Sequence, residues 1–294
     1  MKSVIVVVFL LLPLLGTLQA KNIPHDIQPY ISNTPLSKLK NISDIKRNYK
    51  ALQKLSVRVV SFKEGRYYWK MLLVTNPKRN RGPFMFLPHD NENSAFDTAV
   101  YATTKYGGGF LAVMSKGRRY FMRQDPNRNF GDSQQSARVC RQQHAPAPLY
   151  SHIVFGIIDT YRSSGMPYLA LHNNKDGYSA NGGSGGVSIL KSTKTVQAYP
   201  ASNHITTSTR GLKDEDSLVY IASKSSKPNR NKLKRLLRAG LNTKYEVISS
   251  RTNDCSMSNY VILQRGTDRY YNIETEHGDT ATQKKMFDIL MKIK

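Results

Sequence analysis

The chain has 294 residues, 39% of them hydrophobic, and carries 44 lysines and arginines against 20 acids for a net charge of +24. That hydrophobic share is enough for a buried core, which excludes disorder as the default. The charge implies attraction to an acidic cell-envelope polymer, anionic lipid or nucleic acid, with a lysine-rich, solubility-driven surface as the plain alternative.

Residues 1–20 open with Met1-Lys2, run apolar from 4 to 15 with Pro13 as the break, and reach Ala20 through small and polar residues. This is the layout of a secretory signal peptide cut near Ala20, although Leu18 is not the ideal small residue before the cut. The run is short of the roughly 20 apolar residues a membrane span needs. No later stretch is long and apolar enough, so no transmembrane segment is expected. A secreted or periplasmic protein follows, and nucleic acid is then the weakest of the three partners.

Residues 21–56, polar, basic and carrying Pro24, Pro29 and Pro35, are predicted to form an N-terminal arm with one helix near Ile45–Leu55. The remainder, 57–294, reads as one catalytic domain. Period-two alternation predicts strands over 57–62 and 67–74, and short apolar runs predict buried strands over 83–88, 109–114 and 167–171. Further strands are expected at Val187–Leu190, Leu218–Ile221 and Tyr270–Ile273. Helical texture covers 93–104, 150–162, 231–239 and 282–292, and 174–186 reads as loop. Strands alternating with helices predict an α/β fold with a mixed, largely parallel twisted sheet flanked by helices. Cys140 and Cys255 are the only cysteines; in an oxidising compartment one disulfide is expected, with two buried thiols as the alternative.

Pro88-His89-Asp90-Asn91-Glu92 follows a buried strand and opens a helix. Spacing of three puts His89 and Glu92 on one side of a turn, where imidazole and carboxylate can share a metal ion. Alone this is a weak motif, and its plain reading is a surface histidine beside a helix-capping acid. His172 ends the apolar run Tyr168–Leu171, where open α/β sheets place their sites, and offers a third ligand. Asp125-Pro126-Asn127-Arg128 reads either as a turn or as an arginine fork and amide suited to a carboxylate. Glu274 and Glu276, two apart on a strand, share a face, and either can serve as a general base.

Taken in order, His-x-x-Glu, Asn-Arg, a strand-ending His and a strand-borne Glu resemble the zinc carboxypeptidase family, the funnelin peptidases, over roughly residues 57–290. The run from Gly266 through Tyr270 to an apolar residue before Glu274 is similar to that family's approach to its catalytic glutamate, which favours Glu274 over Glu276. The resemblance implies one Zn2+ per chain on His89, Glu92 and His172, with Asn127 and Arg128 on the substrate's terminal carboxylate. Tyr260 then corresponds to a mobile capping tyrosine, and Cys255 or Ser256 lies near the specificity pocket. An oxyanion-stabilising arginine is implied among Arg118, Arg119 and Arg123. The interval Glu92 to Asn127 is shorter than in digestive members and His172 to Glu274 is longer, so the substrate cleft is expected to be remodelled. The expected reaction is hydrolysis of a terminal amide bond, in peptides or in peptidoglycan. The alternatives are an amidohydrolase or deacylase on a non-peptide amide, and an inactive basic wall-binding protein.

Other motifs carry less. Gly182-Gly183-Ser184-Gly185-Gly186 fits Gly-x-Ser-x-Gly but lacks the strand-turn-helix of a nucleophile elbow. Gly107-Gly108-Gly109 lacks the Lys-Ser/Thr ending of a phosphate loop. The basic stretch Lys224–Arg238 reads as an amphipathic helix with a solvated face.

Overall fold

A computed structural model describes residues 22–293 apart from 141, 178, 180–183 and 208–209. The expected signal peptide and Gly182-Gly183 therefore lie outside the described residues. The strands are β1 (Ile31–Ser32), β2 (Ser56–Glu64), β3 (Tyr67–Thr75), β4 (Phe84–Leu87), β5 (Gly109–Val113), β6 (Tyr168–Asn174), β7 (Val196–Tyr199), β8 (Leu218–Ser223), β9 (Asn242–Val247) and β10 (Tyr270–Glu276). The helices are α1 (Ser43–Leu52), α2 (Asn93–Tyr106), α3 (Gln134–Val139), α4 (Pro148–Tyr161), α5 (Arg230–Arg238), α6 (Met257–Leu263) and α7 (Thr280–Ile293).

The strands form one mixed sheet in the order β1-β2-β3-β5-β4-β6-β10-β8-β9-β7. Its centre, β5-β4-β6-β10, is parallel, β8 and β9 pair in parallel, and the other neighbours are antiparallel. Apolar residues alternate between two buried faces, which is why the central strands read as continuous apolar runs. In β4, Phe84 and Phe86 enter one cluster and Met85 and Leu87 the other. The Phe84 side packs on α4 and α6; the Met85 side packs on α1, α2, α5 and α7.

Position in this sheet explains where a site can form. From β4 the chain crosses through α2 to β5 on one side, then through α4 to β6 on the other side of β4. The connection leaving β4 and the one leaving its neighbour β6 run in opposite directions along the sheet, and such divergence opens a crevice at the carboxyl ends of the strands. His89 follows β4 and His172 lies near the end of β6, so both face that crevice. The turn into β5 also explains the Gly107–Gly109 run: Gly108 has φ +70°, and a Cβ there would lie 2.0 Å from the Pro83 carbonyl oxygen. The run serves close backbone approach.

Several details differ from the sequence expectations. The segment before β2 is packed rather than loose. β1 adds to the sheet edge through Ile31 and Ser32 opposite Val60 and Val59. Ile27, fully buried, fills the space beside Gly156, where a Cβ would lie 2.2 Å from its Cδ1. Val187–Leu190 is not a strand: Ser188 accepts bonds from Leu190 N–H and Lys191 N–H and turns the chain back. β1, β7, β9, α3 and α6 are additional to the elements expected. Cys140 and Cys255 form a disulfide with Cα atoms 5.5 Å apart. Among the described residues, no helix is long and apolar enough to cross a membrane.

Candidate metal centre and its cavity

Pro88 ends β4, and the next three residues turn the chain into α2, whose N-cap is Glu92. The Glu92 carboxylate makes no capping bond to its own helix. It turns inward instead, which removes the plain reading of a helix-capping acid. Asp90 fixes the turn by accepting from Ser115 N–H at 2.7 Å and Gly117 N–H at 2.8 Å. These bonds hold the loop after β5, which carries Arg119, against the histidine turn.

His89 Nδ1 lies 2.7 Å from Glu92 Oε1 and 3.1 Å from His172 Nδ1, and His172 Nδ1 lies 3.1 Å from Glu92 Oε2. All three residues are buried, and their ligand atoms fall within 4.8 Å of one another. The group is therefore fit to hold a metal ion. Tetrahedral bonds of ~2.0–2.2 Å would set such atoms about 3.3–3.6 Å apart. His89 Nε2 bonds to Asp125 Oδ1 at 2.8 Å, which keeps a proton on Nε2 and leaves Nδ1 as the nitrogen that can give up its proton and offer a lone pair to a metal ion. That lone pair meets a carboxylate oxygen and a second imidazole nitrogen. Glu92 Oε2, fully enclosed, faces His172 Nδ1 at 3.1 Å and has no well-aligned hydrogen-bond donor among the described residues. Acceptors converging on one buried point call for a cation.

Burial disfavours a charged His89, yet Glu92 and Asp125 outweigh it and raise the imidazole to about 9, so with no cation bound a proton on Nδ1 faces Glu92 and a metal ion takes that proton's place. Burial likewise pushes Asp125 up, and the bond from His89 with the charges of His89, Arg119 and Arg128 brings it down to about 2. Glu92 ends below the ordinary carboxyl range because the two histidines overcome its burial. The carboxylates thus hold negative charge around the point where the histidines meet.

Asp125 is the residue that sequence reading missed in a functional role. Besides orienting His89, its Oδ1 accepts from Asn127 N–H at 2.8 Å and caps the one-turn 3-10 helix Pro126–Arg128. The turn reading of the segment holds, and the turn former is in addition the partner of a candidate ligand. Tyr150 Oη donates to the Pro126 carbonyl at 2.9 Å, tying the turn to the α4 core.

A cavity of about 690 Å3 opens beside the cluster and is lined by Glu92, Arg119, Asn127, Arg128, His172 and Glu274, among others. Glu274 stands directly across from His172 in the parallel register of β10 and β6. It is 8% exposed, and Asn272 Nδ2 donates to its Oε1 at 3.0 Å. Burial and then the charge of Glu92 raise its carboxyl against the pull of His172, Asn272 and Arg119. Of the three arginines left open, Arg119 lines the cavity and reaches Glu92 Oε1 at 3.3 Å and Asp125 Oδ2 at 3.4 Å. Asn127 Nδ2 lies 3.4 Å from His172 Nε2, and its Oδ1 accepts from Met257 N–H at 3.0 Å. Arg128 meets Asp254 Oδ2 at 3.2 Å.

Two expected site residues lie elsewhere. Glu276 shares the face of Glu274 but pairs with Arg210 and gathers with Asp176 and Asp216. Tyr260 stacks on Phe155 with ring centroids 4.3 Å apart, against the core. Tyr220, Lys244, Ser256 and His277 line the cavity as well; of these, only Ser256 drew notice in the sequence.

No family model matches the chain, and no curated protein does. Two solved structures are similar to it at low identity. One, described as a candidate metallopeptidase from Shewanella amazonensis SB2B, is 11% identical with a TM-score of 0.45, over 88% of this chain and 92% of its own. The other, similarly described and from Shewanella baltica OS155, is 11% identical with a TM-score of 0.39, over 88% and 94%. Likeness at that level carries no functional reading, and the centre stands on its own geometry.

Proposed function

We propose that the chain is a zinc-dependent metallopeptidase of carboxypeptidase type that hydrolyses a terminal amide bond. The observation that carries this reading is the placement of Glu274 opposite His172, in one cavity with the His89-Glu92-His172 group. Two imidazoles and a carboxylate are an ordinary donor set for catalytic zinc and leave a position open. What zinc supplies when held there is Lewis acidity and the acidification of water near neutral pH.

The remaining roles fall to the chain's own groups. Glu274 takes a proton from the attacking water and returns it to the leaving amine; its raised pKa suits both transfers. Arg119 faces the developing oxyanion with a charge already held in place by Glu92 and Asp125. Asn127 and Arg128 receive the free carboxylate of the substrate, and Asp125 keeps His89 in the required tautomer. Export is supported by the layout of residues 1–20, and a cell-wall peptide substrate by export together with the +24 charge. Protein C-termini are the competing substrate.

The Arg128–Asp254 pair favours a second reading, because a fork already engaged is less available to a terminal carboxylate. Under that reading the enzyme is a deacylase on a non-peptide amide. Assay of zinc-loaded wild-type and Glu274→Gln protein against C-terminal dipeptides, peptidoglycan fragments and carboxyl-free amides tests both. Loss of turnover by about 100-fold or more with zinc retained is expected; undiminished turnover would refute the mechanism. Cleavage of carboxyl-free amides alone would select the second reading.

A further inference from the structure

Outside the cavity lining, Asp176, Asp216 and Glu276 each offer a carboxylate oxygen within 4.8 Å of the others. An acidic cluster alone would mean little, but Asp216 is fully buried and, among the described residues, neither of its carboxylate oxygens has a hydrogen-bond donor. Its own N–H donates to Asp214 Oδ1 at 3.1 Å, which keeps a further carboxylate beside it. Asp279, 4% exposed, accepts from Thr282 N–H through Oδ1 and leaves Oδ2 bare. Asn174 is similarly enclosed; its amide donates to the Asp216 carbonyl while its Oδ1 has no partner.

Among the described residues, the ion pair to this group comes from Arg210, whose guanidinium meets Glu276 and stays 61% exposed. One exposed guanidinium does not balance Asp176, Asp214, Asp216, Glu276 and Asp279. This occurs in a chain with 44 basic residues available for pairing. Buried carboxylate oxygens without donors are costly unless a proton or a cation joins them. The donors are all oxygen, with no histidine or cysteine in the group, which suits a hard cation. Separations up to 4.8 Å match two bonds of the ~2.3–2.6 Å that calcium makes with oxygen.

We propose that Asp176, Asp216 and Glu276 form a second cation site, of calcium type and separate from the His89-Glu92-His172 centre. Asp176 follows β6, Asp216 precedes β8 and Glu276 ends β10, and these strands are neighbours in the sheet. One ion there pins the ends of the two strands that carry His172 and Glu274. The rival arrangement is a proton shared within the group. Burial and the adjacent Asp214 raise Asp216 to about 9, so without a cation it would hold a proton at neutral pH.

The test uses the full chain, zinc-loaded, in calcium-depleted buffer, titrated with CaCl2 by calorimetry and followed by thermal melting. One calcium per chain, a calcium-dependent rise in Tm and unchanged zinc content are expected. Asp216→Asn should abolish calcium binding and the Tm rise while zinc stays bound. Should that variant fail to fold, Asp176→Asn, at the exposed ligand, should weaken calcium roughly tenfold. No calcium uptake up to about 10 mM, an order above the weakest protein calcium sites, would overturn the proposal. So would a folded Asp216→Asn chain that binds calcium as wild type does, or one stabilised without any calcium dependence, which is the outcome of a shared proton. None of these readouts depends on peptidase activity.

Discussion

Asp125 joins the candidate metal centre to the Asn127 side of the cavity, holding His89 Nε2, Asn127 N–H and Arg119 at once. Its replacement by Asn removes the charge that fixes the His89 tautomer. Zinc affinity of Asp125→Asn should fall by about 10–100-fold, measured by competition with a chromophoric chelator. An unchanged affinity would leave Asp125 a turn former only. Glu274 predicts the acid side of the pH profile. Its carboxyl is raised above the ordinary 4.5, chiefly by burial, and only the ionised form can accept a proton. Activity should therefore fall as pH drops through a value above that of a free carboxylate. A profile flat down to pH 4.5 would remove Glu274 from the role. His89, Glu92, His172, Asn127, Arg128 and Glu274 could be singled out in the sequence because their residue types and order are chemical, and the fold brings them to one cavity. Asp125 was hidden because Asp before Pro reads equally well as a turn. Tyr260 was misplaced by loose alignment, and its ring is taken up by Phe155.

The disulfide acts between elements. Cys140 caps the end of α3, and Cys255 precedes Ser256, the N-cap of α6. From that segment Met257 N–H reaches Asn127 Oδ1, and the Cys255 carbonyl accepts from Phe130 N–H at 3.0 Å. The bridge thus fastens the frame of the Pro126–Arg128 turn. It closes a span of 115 residues, for which chain entropy gives about 4–5 kcal/mol. Cys140→Ser/Cys255→Ser should lower Tm by several degrees and raise KM more than it lowers kcat; equal stability would show that the loop is held without it. The central strands were legible because both of their faces are apolar. β9 was not, because Asn242, Thr243 and Lys244 are buried through tertiary contacts that their side chains do not announce. β6 runs past the expected end because pairing with β10 continues to Asn174, so His172 sits within the strand.

Across the whole molecule, the sheet order explains why ligands 83 residues apart meet: β4 and β6 are neighbours, and the connections leaving them diverge. The high positive charge has a cost inside this fold. Lys244 is 4% exposed, and burial, then Lys191, lowers its pKa to about 8. Below pH 8 the lysine is charged in both folded and unfolded chains, and the burial penalty is full. Between about 8 and 10.5 the folded chain releases its proton first, so stability from this group rises with pH. Lys244→Met should therefore raise Tm most at neutral pH and lose that advantage by pH 10.5; a gain independent of pH would assign the effect to packing alone. The metal centre is the point on which the functional reading turns, and zinc content measures it directly. Purified full-length protein should hold one tightly bound zinc per chain, and His172→Ala far less under the same conditions. Wild-type protein that takes up no zinc, or a His172→Ala chain that holds as much, would contradict it.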